Sequence, residues 1–144
     1  MTATVQGVKT WRTDEGGGYQ ATLLVEGVKA ATVTEEGNGG CLRWAVLNLD
    51  AVRTFAVSCG LDPAGLSVAR IPCDTAMDIA VAELVDRYEE TKRLQRWCRT
   101  MTVFTVPGDK AGSYRTIKAP YSATIKAHIV AKYPEAVILN ERIA

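Results

Sequence analysis

The first third of the chain alternates between apolar and polar residues. From residue 19 to 25, most apolar side chains fall on every second position, which is the period of a half-buried β-strand. Residues 5–13 and 28–35 are also strand-like, and Glu26-Gly27 forms a tight connection between the second and third segments. The pattern predicts an antiparallel meander of three strands, with a weaker third strand because two alanines interrupt it.

A longer apolar period marks the middle of the chain as helical. Asp50 is the predicted N-cap of a helix that ends at Gly60, since the apolar residues between them share one helical face. The longest helix is predicted to begin at Asp74 or Thr75 and to end near Arg99. Its acidic residues precede its basic ones, an order that complements the helix macrodipole.

The last third carries a hairpin, a short helix and a final apolar run. Residues 102–106 and 113–118 flank a glycine-containing loop, which predicts a β-hairpin. Ser122 is predicted to cap a helix that Pro134 stops, and residues 136–139 are continuously apolar, as in an inner strand. Because strands and helices occur in blocks, the predicted class is α+β: an N-terminal antiparallel meander with a helix, one long central helix and a C-terminal ββαβ unit.

The segment between the two main helices is the predicted domain boundary. Residues 61–73 contain two prolines and a glycine and are predicted to form a loop. The expected organisation is a β-meander plus helix over 1–60 and the long helix plus ββαβ unit over 74–144, with a single domain over 1–144 as the alternative. Residues 42–47 fit either a fourth strand or the approach to the first helix.

Composition and charge narrow the class of protein. The chain has 144 residues, of which 47% are hydrophobic and 23% charged, as is typical of a folded globular protein. Its net charge of +1 gives no global attraction to nucleic acid or acidic membranes. No apolar run approaches the roughly 20 residues of a membrane span, and no export signal is seen, so a reducing cytoplasm is the expected location.

Few residues belong to the usual catalytic or metal-binding types. The chain has one histidine, His128, and no C-x-x-C pair, so we predict no zinc site, no other cofactor and no assigned catalytic residue. Cys98 lies in a basic turn that is expected to lower its thiol pKa, and Cys41 follows a glycine loop, but both lack a base other than His128. An even number of cysteines would permit two disulfides, but without an export signal free thiols are the favoured interpretation. The cysteines are Cys41, Cys59, Cys73 and Cys98.

Two segments are candidate ligand-binding sites, of which the first is a glycine loop. This glycine loop consists of Gly37, Asn38, Gly39 and Gly40. Residues that tolerate positive φ allow backbone N–H groups to face a phosphate or another anion. Glu35 and Glu36 would repel such a ligand, and a simple strand connection explains the same residues, so the connection is the favoured interpretation.

The second candidate is the end of the long helix. Trp97 lies among its basic residues and would stack on a base while the arginines hold phosphate. The alternative, which we favour slightly, is a solvated helix end whose cations complement the macrodipole, with Trp97 in the core. This basic helix end consists of Lys92, Arg93, Arg96, Trp97 and Arg99. Arg115, Lys118 and Lys126 would widen the basic surface if the hairpin packs beside it.

Several segments, taken together and in order, resemble a family of small uncharacterised proteins of tailed phages and prophages. They are residues 19–23 (YQATL), 36–41 (EGNGGC), 92–99 (KRLQRWCR), 102–104 (TVF), 114–121 (YRTIKAPY) and 137–141 (VILNE). The resemblance covers most of the chain but implies no established activity. It implies a phage accessory protein that acts in the cytoplasm of a host bacterium, and by analogy such proteins are often counter-defence factors.

The scarcity of catalytic residue types favours binding over chemistry. The leading hypothesis is a non-enzymatic counter-defence factor that captures either a nucleotide-like signal or a host defence protein. The first alternative is a nucleic-acid-binding protein that uses the basic helix end, and the second is a hydrolase of a nucleotide messenger with His128 or a carboxylate as base. No membrane partner is expected, and a homo-oligomer would allow a pocket between subunits.

Overall fold

Four antiparallel strands form the N-terminal sheet in the order in which they occur along the chain. The computed structural model describes residues 1–73 and 75–143. The strands, in the spatial order β1-β2-β3-β4, are β1 Ala3–Thr13, β2 Gly16–Val25, β3 Val28–Glu35 and β4 Arg43–Val46. The predicted meander is therefore present, and residues 42–47 supply a fourth strand.

The connection between β2 and β3 is as tight as the sequence predicts. Val25 pairs with Val28, and the two residues between them, Glu26 and Gly27, have φ of 51° and 79°. Two successive positive φ values match the twist of an antiparallel ribbon. This turn fixes the register that places the apolar positions of β2 on the buried face of the sheet.

The first helix, α1 Leu49–Ser58, packs against the buried face of the sheet. Ala30 and Ala31 are fully buried beneath it, in the same cluster as Val52 and Phe55. The predicted third strand is present over the expected residues, Val28–Glu35, although its two alanines are poor strand formers. Small side chains weaken an isolated strand, but here they let a helix approach the sheet closely, so packing outweighs propensity.

The start of α1 also differs from the prediction. Asn48, not Asp50, is the N-cap, since the Asn48 side chain accepts a hydrogen bond of 3.1 Å from the Ala51 amide. The amides of Leu47 and Asn48 both donate to the carbonyl oxygen of Ala30, which fixes the turn that leads out of β4. Asp50 lies in the first helical turn, where its charge still favours the helix N-terminus.

The long helix, α2 Ala76–Cys98, is present with almost the predicted bounds. Near its start the Thr75 hydroxyl accepts a hydrogen bond of 3.2 Å from the Met77 amide, while Asp74, the other predicted starting residue, lies outside the described residues. Met77, Val81 and Val85 are its buried residues in the first core. Between α1 and α2 the predicted loop contains one short 3₁₀ turn, Pro63–Gly65.

The C-terminal part of the chain has a sheet and core of its own. Its elements are β5 Thr102–Thr105, β6 Arg115–Ile117, α3 Ala123–Lys132, β7 Val137–Ile138 and α4 Asn140–Ile143. All pairing is antiparallel in the order β6-β5-β7, and Phe104, Ile129 and Ile138 form the core. Ser122 caps α3 as predicted, accepting from the Ile125 amide at 3.2 Å. The prediction of an inner final strand is wrong, because β7 has two residues and lies at the edge of the sheet. Its apolar character comes from Ile138, which packs into this core.

A buried asparagine ties the end of α2 to the C-terminal sheet. The Asn140 side chain is 5% exposed, accepts a hydrogen bond of 2.8 Å from the Val103 amide, and donates to the carbonyl oxygens of Cys98 at 3.3 Å and Met101 at 2.9 Å. One side-chain amide thereby satisfies a backbone N–H group of β5 and two backbone carbonyl groups at and just after the end of α2. Nothing in the sequence pattern predicts this role.

The contacts within the chain define two compact units, Met1–Tyr88 and Glu89–Ala144. The boundary between these units falls inside α2. The expected domains over 1–60 and 74–144, and the alternative of a single domain over 1–144, stay predictions. The α+β class is confirmed, with a four-stranded sheet, a long central helix and a three-stranded sheet with a helix. No helix in the described part of the chain is long and apolar enough to span a membrane.

Candidate functional site

The first half of the glycine loop is held against β1. The Thr13 hydroxyl donates to the Gly37 carbonyl oxygen at 2.5 Å, and the Trp11 indole donates to the Glu36 carbonyl oxygen at 3.3 Å. Gly37 is buried with φ of +87°, and a Cβ atom there would lie 2.9 Å from the Thr13 methyl group. Glycine is therefore required at this position by both conformation and space.

Two amides of the loop already have acceptors. The Gly37 N–H donates to the Glu35 carboxylate at 3.1 Å, and the Gly40 N–H donates to the Asn38 side chain at 3.0 Å. Glu36 carries a second carboxylate beside the loop, paired with Arg43 at 2.6 Å. These bonds give the loop the properties of a strand connection. Its use as an anion site, which the sequence analysis considered beside the favoured strand connection, gains no support from this geometry.

A disulfide joins Cys41 to Cys73, with their Cα atoms 5.5 Å apart. The expectation that all four cysteines are free is wrong for this pair, while Cys59 and Cys98 are free thiols. The two bonded residues are 32 positions apart, and only the fold brings the end of the glycine loop to the segment before α2. Cys41 is consequently not available as the nucleophile considered from sequence.

A cleft of about 320 Å³ lies beside this disulfide in the first unit. Burial, followed by the nearby charges of Glu35, Asp78 and Asp86, raises the pKa of Tyr19 to about 12. The Tyr19 hydroxyl oxygen is buried and has no hydrogen-bond partner. Acidic surroundings disfavour an anionic ligand here. The lining residues are Tyr19, Glu35, Gly40, Leu42, Thr75, Asp78, Ile79 and Ala82.

The basic helix end belongs to the second unit and faces solvent. All four of its cationic side chains are exposed. Trp97 is half-buried, so it is neither as exposed as a stacking surface nor as buried as a core residue. The Arg93 guanidinium lies 5.3 Å from the centre of the Trp97 ring. A guanidinium over an indole is held by a cation–π interaction while its N–H groups stay open to solvent or ligand.

A cleft of about 410 Å³ adjoins the basic helix end and is lined by Gln95, Cys98, Arg99 and Ile143. Burial raises the pKa of the Cys98 thiol, so the predicted lowering of this pKa by neighbouring arginines is wrong. Desolvation of the thiolate outweighs those cations because their head groups remain hydrated. Cys98 thus contributes an uncharged thiol to the lining of the cleft, and Arg99 contributes a positive charge.

Two of the three cations that were expected to widen this surface are paired with other residues. Arg115 makes two hydrogen bonds to the Asp109 carboxylate, at 2.8 and 3.0 Å, and a third to the Tyr133 hydroxyl at 2.7 Å. The same bonds to Arg115 lower the pKa of Asp109. Lys126 pairs with Glu141 at 3.1 Å. Arg115 and Lys126 are thus paired with carboxylates, whereas Lys118 is exposed just after β6.

The catalytic alternatives gain nothing from the geometry. His128 is an exposed residue of α3. Within residues 1–73 and 75–143, no three His, Cys, Asp or Glu side chains cluster in a way that would hold a metal ion.

Comparison with known proteins found no matching family model, no similar curated protein and no similar solved structure. Function therefore has to be argued from this chain's own residues. Of the predicted ligand-binding residues, the glycine loop lies in the first unit and the basic helix end in the second. Sequence reasoning missed Asn140, whose surroundings arise from contacts distant in sequence.

Proposed function

We propose that this chain is a non-enzymatic binding protein that holds a phosphate-bearing ligand of the nucleotide class at the basic helix end. The observation that carries the proposal is the arrangement there. Arg93 and Arg96 are exposed in the last turns of α2, and Arg93 lies over Trp97. Arg99, which directly follows the helix, is exposed and lines a cleft. Guanidinium groups match phosphate oxygens in pairs of parallel hydrogen bonds, which suits them to this ligand.

Local charge favours an anion even though the whole chain is almost neutral. Arg93, Arg96 and Arg99 follow each other at intervals of three residues, so their charges add over a short distance. The carbonyl end of a helix carries a partial negative charge of about half a unit, which several full positive charges exceed. The Asn140 amide also covers two of the carbonyl oxygens there.

The cleft gives this ligand class a place for its less charged part. Its volume of about 410 Å³ falls within the range that is usual for small-molecule sites. Ile143 and Cys98 contribute uncharged surface, and Gln95 contributes hydrogen-bonding groups. A base or sugar in the cleft would leave its phosphates near Arg99 and Arg96.

The biological setting of the proposal comes from the sequence alone. A phage or prophage accessory protein in the host cytoplasm would act as a counter-defence factor by capturing a nucleotide-like signal. In a second version, the same surface docks on a host defence protein with an acidic face. The resemblance to the phage family supports the setting, and the basic helix end supports the ligand class.

The test is a binding titration with a fluorescent ATP analogue at low salt. The Arg96→Ala/Arg99→Ala variant is expected to weaken binding by about 100-fold or more, since hydrogen bonds to charged groups contribute about 1.5–3 kcal/mol each and two guanidinium groups are removed. The matched control is Arg87→Ala, an exposed arginine of the same helix in the first unit. Absence of binding by the unmodified protein, or an equal loss in the control, would contradict the proposal.

The nucleic-acid alternative uses the same residues and is separated by salt dependence. A labelled single-stranded oligonucleotide that contacts several arginines would give a steep log–log dependence of affinity on salt. Removing one contacting arginine would reduce this slope by about one unit. Tight, salt-sensitive binding of the oligonucleotide with none of the ATP analogue would favour the alternative over the nucleotide proposal.

A further inference from the structure

The Cys41–Cys73 disulfide connects two surface segments of the first unit. Cys41 ends the glycine loop and precedes β4, whereas Cys73 ends the loop region that leads to α2. Both cysteine residues are exposed. Exposed disulfides are accessible to attacking thiolates and are more easily reduced than buried ones.

The hydrogen bonds from β1 and the disulfide hold opposite ends of the glycine loop. Trp11 and Thr13 bond to the carbonyl groups of Glu36 and Gly37, at the loop's beginning. Its later part is exposed, and the Gly40 amide bonds locally to Asn38. The disulfide is therefore the long-range link at the end of the loop.

The neighbours of the two cysteines form facing walls of the cleft in the first unit. Gly40 and Leu42 flank Cys41, and Thr75 and Asp78 follow Cys73 at the start of α2. Trp44 donates to Asp78 across the same gap at 3.2 Å. The disulfide and the Trp44–Asp78 hydrogen bond both link the two walls.

We propose that the Cys41–Cys73 disulfide is a redox-sensitive clasp that controls the order of the glycine loop and the opening of this cleft. A dithiol reductant attacks one sulfur through its thiolate and forms a mixed disulfide. Its second thiolate then displaces the protein sulfur. Two electrons and two protons pass to the protein, which gains two thiols, while the reductant becomes a cyclic disulfide. The loop end is released, and the β1 hydrogen bonds keep the loop's first residues in place.

The first part of the proposal is tested by counting thiols in a variant whose only cysteines are Cys41 and Cys73. In Cys59→Ser/Cys98→Ser the two free thiols of the native chain are absent, so every reactive thiol reports on the clasp. We expect no thiol to be alkylated before reduction and two to be alkylated after dithiothreitol treatment without denaturant. Free thiols before treatment, or none after it, would overturn the proposal.

Hydrogen exchange of the same variant tests the consequence. On reduction, the peptides spanning residues 38–44 and 71–78 are expected to exchange about tenfold faster or more, while β2 is unchanged. Released thiols with unchanged exchange in both peptides would overturn the proposal. When Cys41→Ser/Cys73→Ser is added to this variant, its hydrogen exchange should match that of the reduced protein. If the added substitutions prevent folding, the reduction experiment decides alone. These readouts lie in the first unit and do not depend on the nucleotide proposal.

Discussion

Replacement of Asn140 by alanine removes the hydrogen bonds that tie the end of α2 to β5. The change leaves the Val103 amide without its acceptor and two carbonyl groups, those of Cys98 and Met101, without their donor. Val103 is fully buried, so water does not replace the lost acceptor unless the surroundings open. The perturbation is local, because the side chain that is removed is small and lies within the second unit.

The expected loss in free energy of unfolding follows from these three bonds. An unsatisfied buried donor costs about 1–3 kcal/mol, and each of the two carbonyl bonds contributes about 0.5–1.5 kcal/mol net. The bond to Cys98, at 3.3 Å, is long and belongs at the lower end of that range. The sum is about 3 kcal/mol, which is a large part of the stability of a typical small domain.

Urea unfolding followed by far-UV circular dichroism measures this loss. Asn140→Asp keeps the acceptor for Val103 but places a carboxylate oxygen against the two carbonyl groups, so it too should be strongly destabilising at neutral pH. Asn38→Ala is the surface control and should cost less than about 1 kcal/mol, because its hydrogen bond is exposed. If Asn140→Ala costs no more than this control, the reasoning is refuted.

Two further predictions concern the first unit. Gly18→Ala should lower the free energy of unfolding by about 2 kcal/mol, since a Cβ atom there would lie 2.7 Å from the Glu35 carbonyl oxygen and would overlap the Trp11 ring. Gly17→Ala, whose nearest neighbour is 3.8 Å away, is the control in the same urea experiment, and equal losses would contradict the steric argument. Tyr19→Phe should raise stability at neutral pH by about 1 kcal/mol because it removes an unpartnered buried hydroxyl. The pKa of Tyr19 is raised to about 12 in the folded protein, so the stability contributed by its neutral form is fully present below pH 10.0 and is lost as the pH rises through about 12. Over this pH range the free energy of unfolding of Tyr19→Phe should therefore fall less than that of the unmodified protein. Equal falls in both proteins would contradict this prediction.

The α+β architecture could be predicted because hydrophobic periodicity depends on neighbours in sequence. Alternation over residues 19–25 identified β2, and a glycine at the following turn located the hairpin. The length and position of α2 followed from the helical period. Errors occurred where a distant contact overrides local preference. β7 is an edge strand although it is wholly apolar, because Ile138 packs into the core of the C-terminal part.

The candidate site was predicted in part. The residue types and spacing of the basic helix end could be read from the sequence because helical neighbours are three and four positions apart. The cleft beside Arg99 could not, since Ile143 lies more than 40 positions further along the chain. The direction of the Cys98 pKa shift was also missed, because desolvation depends on tertiary packing and not on neighbouring sequence.

The sequence by itself determined the class of fold, the order of its main elements and the chemistry available at the end of α2. These properties depend on local periodicity, on turn residues and on side-chain type. Only the tertiary structure decided that Cys41 meets Cys73 and that Asn140 bonds to the end of α2. Each of these depends on distances between specific groups within the folded chain, which the pattern of residue types does not specify.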